Sequence, residues 1–258
     1  MNSILFDIGA TKTRMAFAES EEKFEEPKIF ETNQNYEEGF RLFVETAKNL
    51  AKEREIKKIV GGMSRSVWDG DYKKLKSDLV ENFKETEIII ENDASMAGVG
   101  EAQFGAGRGF EIVAYITVST GVGGAKIVNG KIDEHAVGFE PGKQIMDVNS
   151  GKTLEDMISG KALQEKFGKH PKEIKDQGVW DNHAWLLAIG LNNIIMEWSP
   201  NCVVLGGSMI TGDPAIPLDK TKKYLEDILK IFPQIPVIKK AELGDFGGLW
   251  GALTYLKD

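Results

Sequence analysis

Apolar positions along this chain fall into short runs of two periods. Ile4-Leu5-Phe6-Asp7-Ile8 is a strand-length apolar run broken by one carboxylate, and Gly9-Ala10-Thr11-Lys12 is a turn. Thr13-Arg14-Met15-Ala16-Phe17 then alternates polar with apolar, which predicts a returning strand. A third strand is expected at residues 28–31 and an amphipathic helix at 37–55, with Phe40, Phe43, Ala47, Leu50 and Ala51 on one stripe. A strand at 58–62, an irregular loop at 63–71 and a helix with Leu75, Leu79, Val80 and Phe83 inward follow. Ile88-Ile89-Ile90, three consecutive β-branched residues, reads as a strand buried on both faces. It runs into Asn92-Asp93 and the helix-compatible Ala94-Ser95-Met96-Ala97-Gly98. The pattern predicts a mixed sheet with helices packed on it.

A glycine-rich hinge or linker is expected at residues 104–109. Beyond it the punctuation repeats: an apolar run at 112–118, the turn Ser119-Thr120-Gly121-Val122-Gly123-Gly124, and a strand at 125–128. Asn129-Gly130 favours a type I′ hairpin. Strand, Gly/Thr turn, strand occurs twice, which points to a duplicated fold with two turns able to bring backbone N–H groups to a polyphosphate. Residues 133–150 lack periodicity but carry His135, Glu140 and Lys143. Helix is expected at 152–167, broken near Ser159-Gly160, and at 180–198, stopped by Ser199-Pro200. A buried strand at 201–208 ends in Gly206-Gly207, a helix covers 218–232, an edge strand 236–239, and a last helix runs through Leu256.

Composition narrows the class. At 258 residues, 41% hydrophobic and 28% charged, the chain has material for a full core. A net charge of −8 argues against a nucleic-acid partner. No apolar run reaches the ~20 residues that span a bilayer, so no membrane is expected. A single cysteine, Cys202, within an apolar run, and the lack of a leader point to the reducing cytoplasm. Asp93 has two readings: an N-cap for the following helix, which the residues alone favour, or a carboxylate at the strand ends where open α/β sheets bind ligands. Asp7 likewise reads as a solvated hairpin residue or as a carboxylate facing a phosphate-bound metal.

Together these motifs resemble the ROK family of sugar kinases and related repressors, within the actin, hexokinase and heat-shock ATPase superfamily. Asp7-Ile8-Gly9-Ala10-Thr11-Lys12 is similar to its first phosphate motif, D-x-G-x-T-K, and Glu91-Asn92-Asp93-Ala94 to its E-N-D-A segment. Gly105-Ala106-Gly107-Arg108-Gly109 resembles the small-residue bend that follows. Residues 117–124 resemble the second phosphate motif, T-x-G-T-G-x-G-G, with Ser119 for its first Gly, and residues 203–208 the adenosine-site strand. The chain departs from the family at Glu140-Pro141-Gly142-Lys143, where Lys143 stands in place of a zinc-binding His and no cysteine cluster follows. The sugar loop is shortened to Met63-Ser64-Arg65-Ser66-Val67-Trp68.

The resemblance implies a two-lobed α/β fold, actin/hexokinase-like (ribonuclease H-like) and duplicated, with the active site in the interlobe cleft. Residues 1–110 and 111–245 would form the lobes, and a helix at 246–258 would pack back on the first. It implies ATP-dependent phosphorylation of a sugar hydroxyl with Asp93 as general base. Asn92, Glu140, Glu155, Lys143 and Arg65 would bind the sugar. Asp7, Gly9, Thr11, Lys12, Thr120, Gly121, Gly123, Gly206 and Gly207 would bind the nucleotide, Asp7 holding Mg²⁺ through water. No zinc site is expected, and a homodimer stays open. Two competing classes are a catalytically impaired sugar- or nucleotide-binding regulator and an ATPase that drives a partner.

Overall fold

In the computed structural model, which describes residues 2–257, the chain divides into two compact units. One holds the residues up to Phe104 together with those from Asp245 onward, and the other holds Gly105–Gly244.

The first unit is built on β1 (Ser3–Ile8), β2 (Lys12–Ala18), β3 (Lys28–Glu31), α1 (Tyr36–Ala51), β4 (Lys58–Met63), α2 (Tyr72–Asn82), β5 (Glu87–Asn92) and α3 (Asp93–Gln103). Its sheet runs β3-β2-β1-β4-β5, with β1 antiparallel to β2 and parallel to β4, which is parallel to β5. β1 is central and buried on both faces. Ile4, Phe6 and Ile8 enter a core with Phe43, Ala47, Leu75 and Leu79, while Leu5 enters the core on the opposite face. Asp7 has the parity of Leu5.

Three expectations need correction here. α1 ends at Ala51 rather than 55, because Lys52 takes φ 56° and cannot continue the helix. Val80 is 50% exposed, outside the inner stripe of Leu75 and Leu79. β5 is an edge strand: Ile88 is buried, but Ile89 and Ile90 are only partly covered, because a neighbour exists on one side alone. A β-branched run records strand preference, not how many partners the strand finds.

The second unit contains β6 (Ile112–Val118), β7 (Val122–Val128), β8 (Lys131–Ile132), the small hairpin of β9 (Ile145–Asp147) and β10 (Lys152–Thr153), α4 (Leu154–Ile158), α5 (Gly160–Phe167), α6 (Gln177–Trp198), β11 (Cys202–Gly206), α7 (Ser208–Thr211), α8 (Leu218–Ile228) and β12 (Val237–Lys240). Its main sheet runs β12-β11-β6-β7-β8, with the same senses as the first: two antiparallel pairings on one side of β6 and two parallel ones on the other. The duplication therefore extends to the whole sheet. Asn129 and Gly130 have φ 51° and 74°, the two left-handed positions of a type I′ turn. Ser159 caps α5 and ends α4, which breaks the helix where expected. β7 starts at Val122, so Gly123 and Gly124 belong to the strand rather than to the turn. Lys152 and Thr153 pair with β9 instead of opening a helix. α8 stops at Ile228, short of residue 232, and leaves Ile231 72% exposed.

The chain then returns to the first unit as α9 (Gly247–Thr254), packed along α3. The two helices meet at backbone distance: a Cβ on Gly251 would lie 1.8 Å from the Met96 carbonyl oxygen, and one on Gly100 2.4 Å from that of Gly247. Among the described residues no helix is long and apolar enough to cross a membrane. Gly251→Ala should cost more than about 3 kcal/mol, because it wedges a methyl group against backbone. At Gly247 the added Cβ would meet Ala97 in ordinary contact, no nearer than 3.6 Å. Gly247→Ala should therefore stay within about 1 kcal/mol of wild type. Denaturant unfolding of both variants checks the pair, and equal losses would refute the close-contact account.

Candidate active site

In the first unit the parallel strands β1, β4 and β5 deliver their carboxyl ends to one edge, with Asp7, Gly62 and Glu91 in register, then Ile8, Met63 and Asn92. Asn92, not Asp93, is the N-cap of α3: its Oδ1 accepts from the Ser95 N–H at 3.1 Å. Asp93 is the first helical residue, and its Oδ1 accepts from the Ala94 N–H at 2.8 Å. The cap reading thus belongs to the preceding residue. Gly62 admits the start of α3, since a Cβ there would lie 2.8 Å from the Asp93 Cα.

Asp7 sits on the α9 side of β1, where a Cβ on Gly248 would come within 2.9 Å of its Cγ. Burial pushes its carboxyl up to about 7; the Arg14 guanidinium opposes that rise, and the negative charge of Asp93 adds to it. Arg14 stands opposite Asp7 in the β1–β2 register, with Nη1 3.2 Å from Asp7 Oδ2 and Nη2 3.5 Å from Asp245 Oδ1. Arg14 escaped the sequence reading. The available signal was the hairpin itself, which sets residue 14 against residue 7 when the turn centres between Ala10 and Thr11.

The turn between β1 and β2 has its carbonyls tied back. Gly9 O accepts from Thr32 Oγ1 at 2.8 Å, Ala10 O from Gln34 Nε2 at 3.0 Å, Thr11 O from the Thr32 N–H at 3.0 Å, and Lys12 O from the Gly9 N–H at 3.0 Å. Oxygens that would repel a phosphate are already engaged, while the Thr11 and Lys12 side chains stay exposed. Arg65 is exposed on the loop that leaves β4 at the same edge, where the Ser64 N–H bonds Ile8 O at 2.8 Å. That loop closes through three successive left-handed residues, Trp68, Asp69 and Gly70. Trp68 is held there by a 3.0 Å bond from its Nε1 to Asn33 O. Such strain survives only where surrounding contacts over-determine it.

In the second unit the turn Ser119–Gly121 is clasped by the start of α4 and α5. Gly160 N–H bonds Ser119 O at 2.7 Å and Lys161 N–H bonds Thr120 O at 3.2 Å. The Glu155 carboxylate lies on the turn: Oε2 accepts from Val122 N–H at 2.7 Å, and a Cβ on Gly121 would be 2.6 Å from that oxygen. Its Oε1 takes the Lys143 ammonium at 2.5 Å, a bond that raises the lysine's pKa. Glu140 is exposed at the head of the single turn Pro141–Lys143. Thr120 is exposed, and Gly123 pairs with Thr117 in the β6–β7 ladder. Gly206 and Gly207 are both demanded by packing: a Cβ would sit 2.6 Å from Tyr115 Oη or 2.3 Å from Val118 O, and Gly207 has φ 86°. The Ser208 and Ser119 hydroxyls meet at 3.1 Å, joining this corner to the turn. β4 and β11 are equivalent strands, and Gly62 opposite Asp7 and Gly206 opposite Thr117 mark the same place in the two units, a correspondence not apparent from the sequence.

Comparison with known proteins bears on this geometry. The N-acetyl-D-glucosamine kinase of Histophilus somni is 26% identical, covering 96% of this chain and 96% of the kinase. The xylose repressor of Bacillus subtilis is 28% identical over 55% of this chain, which spans 43% of the repressor's length. A crystal structure of a ROK family glucokinase from Streptomyces griseus, in complex with glucose and AMPPNP, superposes with a TM-score of 0.80 at 21% identity over 99% of each chain. The duplicated α/β architecture is thus the hexokinase-like one of that enzyme. The sequence model of the ROK family matches residues 4–258, and the chain belongs to that family.

Proposed function

We propose that this protein is an ATP-dependent kinase that phosphorylates a hydroxyl of a hexose or a related sugar. The observation that carries the reading is Asp93, a carboxylate at the head of α3 on the edge where three parallel strands end, electrostatically coupled to Asp7. Asp93 accepts the proton of the attacking hydroxyl, which requires an approach of about 2.6–3.2 Å. Asn92, Glu140 and Glu155 bond the other sugar hydroxyls, with Arg65 and Lys143 beside them. A site built from such acceptors rejects a sugar that lacks the matching hydroxyl, because a buried acceptor is then left unpaired.

Phosphoryl transfer depends mainly on positioning and on stabilising charge. Gly9, Thr11 and Lys12 receive one part of the polyphosphate, Thr120, Gly121 and Gly123 another, and Gly206-Gly207 the adenosine. The hard-oxygen carboxylate of Asp7 fits Mg²⁺, held through water. When bound, the ion neutralises charge on the phosphate oxygens. The kinase and glucokinase relatives, one of them in complex with glucose and AMPPNP, support this reading. A sugar-responsive regulator without turnover is the second reading, favoured by the xylose repressor match and by Ser119 in the second turn.

Asp93→Asn should lower kcat by about 10²- to 10⁴-fold while leaving nucleotide binding and unfolding close to wild type. ADP release measured across a panel of sugars decides the matter: sugar binding without any turnover in the wild type would favour the regulator. Asp7 gives a second expectation. Its folded pKa of about 7 lies above the usual carboxylate range, so the folded state holds the proton more tightly than the unfolded chain. That stabilisation is complete below about pH 4 and lost as pH rises through about 7. Without Mg²⁺, the stability of wild type relative to Asp7→Asn should fall by roughly 2–4 kcal/mol between about pH 4 and 8. Denaturant unfolding at several pH values tests it, and a flat difference would show that Asp7 keeps an ordinary pKa.

A further inference from the structure

We propose that Lys143 is a positioning residue for the phosphate end of the nucleotide: it neutralises Glu155 and holds it against the second glycine turn. This rests on the reading of Ser119–Gly121 as a phosphate turn. The Glu155 carboxylate lies on that turn, bonded to Val122 N–H at 2.7 Å, with Oε2 filling the space a Gly121 Cβ would need. A lone carboxylate there would repel an incoming polyphosphate and occupy one of the donors an anion would use. The fold sets a cation on it. Lys143 Nζ sits 2.5 Å from Glu155 Oε1, and the turn that carries Lys143 is locked to the same strand, since a Cβ on Gly142 would lie 2.2 Å from Val122 O. Glu155 is fixed from its own side by Thr153, which caps α4 in a reciprocal pair with Asp156. The pair is therefore built into the turn from both partners, and its net charge, not the lysine alone, faces the nucleotide.

Because Lys143 is half-exposed and Glu155 only a quarter exposed, the carboxylate is the more fixed of the two charges. Removing the lysine leaves a negative charge on the turn, and removing the glutamate's charge leaves a positive one. The dissociation constant of AMPPNP, measured with Mg²⁺ and without sugar so that acceptor binding does not enter, should follow that charge. Lys143→Met should bind about five- to tenfold more weakly than wild type, Glu155→Gln several-fold more tightly, and the double variant close to wild type. Lys143→Arg should retain wild-type affinity. Raising the salt from about 0.05 M to 0.5 M should collapse the spread, as screening acts on charge and not on packing.

An unchanged affinity in Lys143→Met, weaker binding in Glu155→Gln, or a spread that ignores salt would overturn the charge-balancing role while leaving the kinase reading standing. A wild type that binds no AMPPNP in the millimolar range would sink the phosphate-turn reading itself, and this inference with it.

Discussion

How close two backbones can come without a side chain between them sets the geometry of the edge where β1, β4 and β5 end in the first unit. Asp7 lies on β1 and Asp93 heads α3 just beyond β5, with β4 between the two strands, and each is approached by a glycine where any larger residue would clash: Gly248 at Asp7 and Gly62 at Asp93. A methyl group at either place would displace a carboxylate by a few tenths of an ångström or more, a shift that catalytic positioning tolerates poorly. The α3–α9 contact at Gly251 and Gly100 follows the same logic. α9 can reach Asp7 because it lies flush on α3.

That closeness has an electrostatic consequence. A carboxylate buried beside another carboxylate is costly, and several kcal/mol of desolvation is hard to offset with one partner. Arg14 offsets part of it, yet burial still dominates and Asp7 titrates near neutrality. The second contact of Arg14, to the exposed Asp245, is long and solvated and adds little. The fold thus holds Asp7 in a state where a bound cation would stabilise the ionised form strongly. A fully paired aspartate would have less to gain.

Much of this was legible in the sequence, and the limits have physical causes. The two hairpins, the helix break at Ser159-Gly160 and the stop after Trp198 follow from turn chemistry and period, both local properties. Partner number is not local, so Ile88-Ile89-Ile90 read as fully buried when β5 lies at an edge. The cap was misassigned by one residue because Asn and Asp are equivalent formers of that position, and only the backbone angles at Asn92 separate them. Arg14 is recoverable from hairpin register, since a turn centred between Ala10 and Thr11 sets it opposite Asp7. The Lys143–Glu155 pair is not recoverable: residues 144–150, most of the stretch that separates them, have no period from which a contact could be inferred.

The duplicated sheet turns these particulars into one argument. Both units use two antiparallel and two parallel pairings around a central strand, with a glycine-bearing turn at its end and paired glycines on the next parallel strand. What differs is the charge at the turn. In the first unit the carboxylate, Asp7, precedes the turn on the central strand itself and is countered by a residue of the same hairpin. In the second the corresponding residue, opposite Gly206 as Asp7 is opposite Gly62, is the uncharged Thr117, and the carboxylate arrives from α4, countered by a lysine from a separate loop. A charge fixed within a hairpin can change only if the hairpin changes. A charge supplied by two loops can be altered at either loop while the sheet stays intact. On physical grounds the second turn is therefore the place where this scaffold can be retuned without loss of fold.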